Sequence, residues 1–233
     1  MKETDSIAEK PCPARVRFGR PPREFAGEVE GRILDAACKV FLDRGFEGAT
    51  IEEIAEVAHS GKPTIYARFP NKQALFAAAV SRQLTARVVR IGSYPSTGIT
   101  AEQRLASIGV TLVKESLTKE WVGLIRLAIA ETRRFPDLGN SICRTAREQG
   151  AETMARLLCE VAASGEFGTL PALHSPEHCE AAARYFAELT LLPLLLRALA
   201  GESLEALHAE IVPHVSKRVV FFLAACRHGG ITS

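Results

Sequence analysis

Between Thr50 and Phe76 the chain carries two short apolar-periodic segments separated by three residues that break a helix, and this stretch constrains the fold more than any other. Thr50, followed three residues later by Glu53, predicts a capping box that opens a helix with Ile51, Ile54, Ala55 and Ala58 on its apolar face. His59-Ser60-Gly61 ends that helix. Pro63, tolerated in a first turn, begins a second one carrying Ile65, Tyr66 and Phe69, which Pro70 stops. Asn71 then caps a longer helix through Leu75, Phe76, Ala79, Val80, Leu84 and Val88. Two short helices around a tight turn predict a helix-turn-helix, whose second helix enters the major groove of a duplex while the first braces it. Small Ala55 suits the close crossing, Ile54 and Ile65 the packing between the helices, and Lys62, Thr64 and Tyr66 lie on or near the exposed start of the second. Lysine suits phosphates, and hydroxyls suit phosphates or bases.

The flanking sequence is helical in period as well. Val29, Ile33, Ala36, Ala37, Val40 and Phe41 predict a first helix over 28–44 with Gly45 as its C-cap. Further helices are predicted over 71–91, 101–118, 120–134, 138–164, 177–199 and 204–226, with a kink or local break at Pro193 and at Pro213. No segment alternates as a strand does. The expected fold is all-α, about nine helices, with a three-helix helix-turn-helix head at the N-terminus and a helical-bundle body for ligand binding and dimerisation. Residues 11–26 hold Pro11, Pro13, Pro21 and Pro22 with Arg15, Arg17, Arg20 and Arg23, which predicts an extended basic arm. The expected division is an arm over 1–26, the head over 27–72 and the body over 73–233, with helix 71–91 linking the last two.

Net charge is only +2, but the charges are sorted. From Glu24 to Glu56 there are nine acids and three bases; from Val57 to Arg90 there are six bases and no acid. A polyanion-binding surface is therefore expected after residue 57, with Lys62, Arg68 and Lys72 on it, whereas Arg82, Arg87 and Arg90 support the linking helix and its junction with the body. Arg17, Arg20 and Arg23 of the arm either read a minor groove or only solubilise the chain. The longest apolar runs, Leu189 to Leu196 and Val219 to Cys226, fall far short of the roughly 20 residues that span a bilayer, and Met1 to Lys10 lack a signal-peptide pattern. A cytoplasmic protein without membrane contact is expected, with its six scattered cysteines reduced.

Thr50-x-x-x-Ile54-Ala55-x-x-Ala58, followed by Lys62-Pro63-Thr64-Ile65-Tyr66-Ala67-Arg68-Phe69-x-Asn71-Lys72-x-x-Leu75-Phe76, resembles the TetR/AcrR family of transcriptional regulators. A second, weaker likeness runs from Leu124 to Leu138 and is similar to the sensing domains of multidrug-type members. The resemblance implies a homodimeric repressor, released from a two-fold symmetric duplex operator when a small, largely apolar inducer binds the body. DNA contacts are expected from Thr50, Lys62, Pro63, Thr64, Tyr66, Arg68 and Lys72, and, where the arm reads a minor groove, from Arg17, Arg20 and Arg23. Where the family has Gly-Val at the turn this chain has His59-Ser60: histidine enters the left-handed region more readily than most residues, and Ser60 gives up an apolar plug.

In the body, Trp121, Leu124, Ile125, Leu127, Ala128, Phe135, Leu157, Leu158, Phe186 and Leu189 are candidates to line a cavity, with Arg126 and Glu131 as polar anchors. Each is also an ordinary core residue. Residues 177–199, with Tyr185, Phe186, Leu192, Leu195, Leu196 and Leu199, and residues 204–226, with Ile211, Val215, Val219, Phe222 and Leu223, look like the family's intersubunit interface. Enzyme signals are fragments. Gly61-Lys62-Pro63-Thr64 lacks the earlier glycine of a phosphate loop, since Glu56 stands there, and Pro176 keeps His174 and His178 from lining one helical face. No catalysis, metal or cofactor is expected; the alternatives to a ligand-released repressor are a constitutive DNA-binding dimer and, further off, an all-helical enzyme.

Overall fold

The computed structural model describes residues 23–163 and 176–227, and every regular element among them is an α-helix. In chain order these are α1 (Arg23–Gly48), α2 (Ile51–Val57), α3 (Lys62–Tyr66), α4 (Lys72–Ser93), α5 (Ala101–Ser116), α6 (Lys119–Glu131), α7 (Pro136–Ala163), α8 (Pro176–Thr190), α9 (Leu192–Ala200) and α10 (Leu204–Arg227). There are thus ten helices among the described residues where about nine were expected. The extra one comes from Pro193, whose missing amide breaks 177–199 into α8 and α9, while α10 runs through Pro213 unbroken. Arg23 is the first residue of α1 and does not belong to an extended arm: Arg23-Glu24-Phe25-Ala26 are helix-compatible, and only the prolines before them are not. Arg17 and Arg20 lie outside the described residues.

Side-chain caps set several of the starts. Asn71 Oδ1 accepts from the Ala74 amide at 2.8 Å, and Thr100 and Gln103 make a complete capping box on α5. Ahead of α2 the box is half made, because Thr50 Oγ1 accepts from the Glu53 amide at 3.1 Å while the Glu53 carboxylate turns to Arg44 Nε at 3.0 Å. Gly45 sits at φ 73° near the end of α1, so the expected stop is a real break in its backbone.

Two apolar cores form. The first gathers Ile33, Phe41, Ile54, Ile65, Leu75 and Phe76 from α1 to α4, together with Trp121, Leu124 and Ala128 from α6. Phe76 makes edge contacts with Phe41 and Phe46 at centroid distances of 4.9 and 5.5 Å. The second is built by α5 and α7 to α10 around Leu105, Val113, Leu158, Phe186, Val215 and Phe222, with Val122 of α6 buried among them. The chain runs from one to the other along α4, which contributes Leu84 to the first and Ile91 to the second. Cys159 and Cys179 are bonded as a disulfide, which corrects the expectation that all the cysteines are reduced.

Candidate nucleic-acid interface

The turn between α2 and α3 is a C-terminal helix cap built on an unusual residue. The Ser60 amide donates to Ala55 O at 2.9 Å and the His59 amide to Glu56 O at 3.1 Å, the two bonds of a Schellman motif, and His59 stands at φ 48° where glycine is usual. Histidine thus takes the left-handed position expected of it, and Ser60, half-buried, closes the turn through its backbone. Replacing His59 with glycine should raise stability by up to about 1 kcal/mol, and His59→Val should lower it by about 1–2 kcal/mol, because a β-branched residue fits φ above zero poorly. Urea unfolding reads both; equal midpoints would mean that the turn bears no strain.

Ile54 and Ile65 are both fully buried, which locks α3 against α2. The other side of α3 is left to solvent: Gly61, Lys62, Pro63, Tyr66 and Ala67 are exposed, and Thr64 is half-buried. Lys62 Nζ donates to Glu52 Oε1 at 2.8 Å, and this bond holds the Glu52 carboxyl below, and the Lys62 ammonium above, their ordinary values. Both partners stand in water, where such pairs are weak and a phosphate can displace the carboxylate. Arg68 Nη1 donates to Thr64 O at 3.0 Å, and Lys72 Nζ donates to Glu47 O and Ala49 O, each at 3.1 Å, while lying 4.8 Å from the centre of the Phe46 ring. Thr50, Arg68 and Lys72 therefore each have a structural task. Only Lys62, Pro63, Thr64 and Tyr66 stand on the presented helix itself.

The bacterial regulatory protein family tetR matches residues 33–79, the helices just described, and the C-terminal domain of AefR-like transcriptional repressors matches residues 103–227, more than half of the chain. The chain belongs to the TetR family. The HTH-type transcriptional activator FasR of Mycolicibacterium smegmatis is 34% identical over 97 residues, which are 42% of this chain and 43% of FasR. The chain thus aligns with less than half of FasR's length. A TetR-family regulator from Mesorhizobium loti MAFF303099, 25% identical, superposes with a TM-score of 0.71 over 88% of this chain and 98% of its own. The flavonoid-responsive regulator FrrA, 27% identical, superposes at 0.56 over 85% of this chain and 97% of its own. Family membership makes this a DNA-binding transcriptional regulator, and α2 and α3 are its helix-turn-helix.

In this TetR-family chain the candidate pocket residues are divided. Trp121, Leu124 and Ala128 are buried in the head core, with Ile125, Leu127 and Phe135 packed on it, whereas Leu157, Leu158, Phe186 and Leu189 belong to the body core. Glu131 is half-buried at the end of α6, where its carbonyl accepts from the Phe135 amide at 2.8 Å. Arg126 caps α9, donating to Ala198 O and Leu199 O. A cavity of about 740 Å³ opens between head and body, walled by Asp35, Lys39 and Asp43 of α1, Gln83 of α4, Lys119, Glu120, Leu124 and Arg126 of α6, and Glu202 after α9. Only Leu124 and Arg126 of the candidate residues reach it.

Sequence reading missed two head-to-body contacts. Arg134 is ion-paired with Glu47, and Phe135 meets Phe46 edge-on at 5.7 Å, so the turn after α6 rests on the end of α1. Arg82 Nε binds Asp35 at 3.2 Å and Arg90 Nε binds Glu115 at 2.8 Å, so α4 is tied to α1 at its middle and to α5 near its C-terminal end. Among the described residues no group of three or more histidine, cysteine and acidic side chains is placed to hold a metal ion, and no helix is long and apolar enough to cross a membrane.

Proposed function

We propose that this protein is a homodimeric repressor that leaves a two-fold symmetric operator when a small, largely apolar ligand binds its body. The observation that carries the reading is the placement of α4 and α6 in both cores, since a ligand that moves either helix also moves the head. Repression is favoured by the repressor-type C-terminal domain over residues 103–227, whereas the likeness to the activator FasR involves less than half of that protein. Responsiveness to flavonoids in FrrA, a protein of the same fold, supports an apolar ligand. The regulator acts in the compartment of its DNA, the bacterial cytoplasm.

The second copy is proposed to dock on α8 to α10. Ile211, Val215, Val219, Phe222, Leu223 and Phe186, expected at the interface, are buried within the protomer and serve its own core. Tyr185, Leu192 and Leu196 are exposed as an interface requires, and Val212, Val220 and Phe221 join them.

Selection of duplexes from a random-sequence library by the purified protein, followed by a ligand screen on the selected duplex, tests the reading. The expected result is a palindromic duplex bound by one or two dimers, and at least one apolar compound that lowers affinity while binding the body. A duplex that no body-binding compound releases would leave a constitutive DNA-binding dimer. On the selected duplex Tyr66→Ala should cost about tenfold in affinity, because 52% of Tyr66 is exposed on α3 and its loss disturbs no core. Thr64→Ala should alter base preference at a single position of each half-site. Unchanged binding and preference in both variants would mean that α3 does not enter the groove.

A further inference from the structure

Cys159 on α7 and Cys179 on α8 are bridged, with Cα atoms 6.6 Å apart, inside the range that a disulfide spans. The other described cysteines differ. Burial pushes the Cys38 and Cys226 thiols up to about 11, which removes the thiolate that oxidation needs, and Cys143 is exposed with no bonded sulfur. A DNA-binding regulator shares the compartment of its DNA, which in bacteria is kept reducing; bridges that form there are mostly transient.

We propose that Cys159 and Cys179 are a reversible redox pair through which peroxide changes the affinity of this protein for its operator. The proposal rests on the operator-binding reading above and adds a second input to it. Cys159 is half-buried and Cys179 almost wholly buried, so Cys159 is the sulfur that a small peroxide reaches first. Its thiolate attacks one peroxide oxygen: an S–O bond forms, the O–O bond breaks, and hydroxide leaves and is protonated to water. The Cys179 thiol then attacks the sulfenic sulfur and gives its proton to the departing hydroxyl: the S–S bond forms, the S–O and S–H bonds break, and a second water leaves. Two thiols are oxidised and one peroxide is reduced to two waters. A low-potential dithiol of the thioredoxin type reverses the step by thiol–disulfide exchange and becomes a disulfide itself.

The pair reaches the head through α7, the helix that holds α4. One turn before Cys159, Arg156 Nη2 donates to Gly92 O near the end of α4 at 3.3 Å. The two helices are so close there that a Cβ on Gly92 would stand 2.8 Å from the same nitrogen and 3.0 Å from Thr153 Cγ2. Nearer the head, Thr85 Oγ1 donates to Gln149 Oε1 at 2.9 Å. On its other side α7 lies against α8 through Leu158, Ala182 and Ala183. Closing the bridge fixes the spacing of α7 from α8. Through Arg156 and Gln149 it thereby biases α4, whose first turn, capped by Asn71, belongs to the head.

Operator affinity, measured on the duplex selected by fully reduced protein, should change by about fivefold or more after stoichiometric hydrogen peroxide and return with dithiothreitol. Mass spectrometry should show two thiols lost together, at Cys159 and Cys179. Cys159→Ser should bind as the reduced protein does and ignore peroxide; Cys179→Ser, which alters the core, should likewise show no peroxide-dependent change. A bridge that survives millimolar glutathione, thiols that peroxide does not pair, or equal affinity in both redox states would each overturn the proposal. If the reduced protein selects no duplex while the pair still cycles, the operator-binding reading falls and the proposed coupling with it.

Discussion

Phe221→Asp is expected to convert the protein from a dimer to a monomer at micromolar concentration and to lower operator affinity by about 100-fold or more. Phe221 is 64% exposed on α10, beside Val220 and one helical stretch beyond Val212, and α9 adds Leu192 and Leu196 to the uncovered apolar surface. A two-fold interface brings each of these residues in twice, so one substitution buries two carboxylates in an apolar seam. Burying one phenylalanine side chain is worth about 1.5–3 kcal/mol, and an unpaired buried charge adds a penalty to that loss. The operator term follows from multivalency, because two heads on one dimer reach two half-sites in a single binding event. The variant protomer should still unfold cooperatively, since no side chain of its own core is touched, at a Tm lowered by the lost dimer linkage. Sedimentation and operator titration of the variant beside the wild type decide the matter. A wild type that sediments as a monomer, or a variant that remains a dimer, would overturn the assignment of this face.

What could be read before the structure was local. Thr50, Asn71 and Pro63 act on backbone groups within a few residues of themselves, so they place α2, α3 and α4 without knowledge of anything distant. His59 is of the same kind, a single residue with a single backbone conformation. Partner identity was not legible. Trp121, Leu124 and Ala128 mark an apolar face by their spacing, but spacing does not say which of two cores receives it. The interface helices show the same limit. α10 is apolar on more than one side, and the period cannot tell Phe222, buried in the protomer, from Phe221, exposed beside it.

The sorted charges illustrate a pattern with two causes. The acid-free stretch after residue 57 does carry the bases of the presented helix, yet Lys62 is bonded to Glu52 and Arg82 to Asp35, acids of the preceding acid-rich stretch. Part of the segregation is therefore complementarity within the head, and part is a surface that remains for phosphate. The two parts are separable only when the partners, 10 and 47 residues away, are seen together.

Arg87→Ala should lower stability by about 3 kcal/mol, which in a chain of this size is a fall of roughly 6–12 °C in Tm. The guanidinium is buried, and burial holds its pKa below the usual arginine value. It donates to Glu115 O in the last turn of α5 at 3.2 Å, to Thr118 Oγ1, the cap of α6, at 2.9 Å, and to Gln83 O within α4 at 3.1 Å, with its carbon 4.7 Å from the centre of the Trp121 ring. Removing it strands the Glu115 carbonyl and takes one partner from Thr118 in a place that water reaches poorly. Arg87→Lys should recover little, because an ammonium offers no planar fork to span two helices and stack on an indole. Trp121 is the chain's only tryptophan, so the loss should appear directly as an emission shift to the red. If Tm moves by less than about 2 °C, or Trp121 emission is unchanged, then α4 and α6 are not joined through this residue. The outcome matters for signalling as well as stability, since Arg87 is where the helix leading to the head, the end of α5 and the start of α6 meet. A variant that still binds the operator but no longer responds to a body-bound ligand would show that the signal passes through that junction.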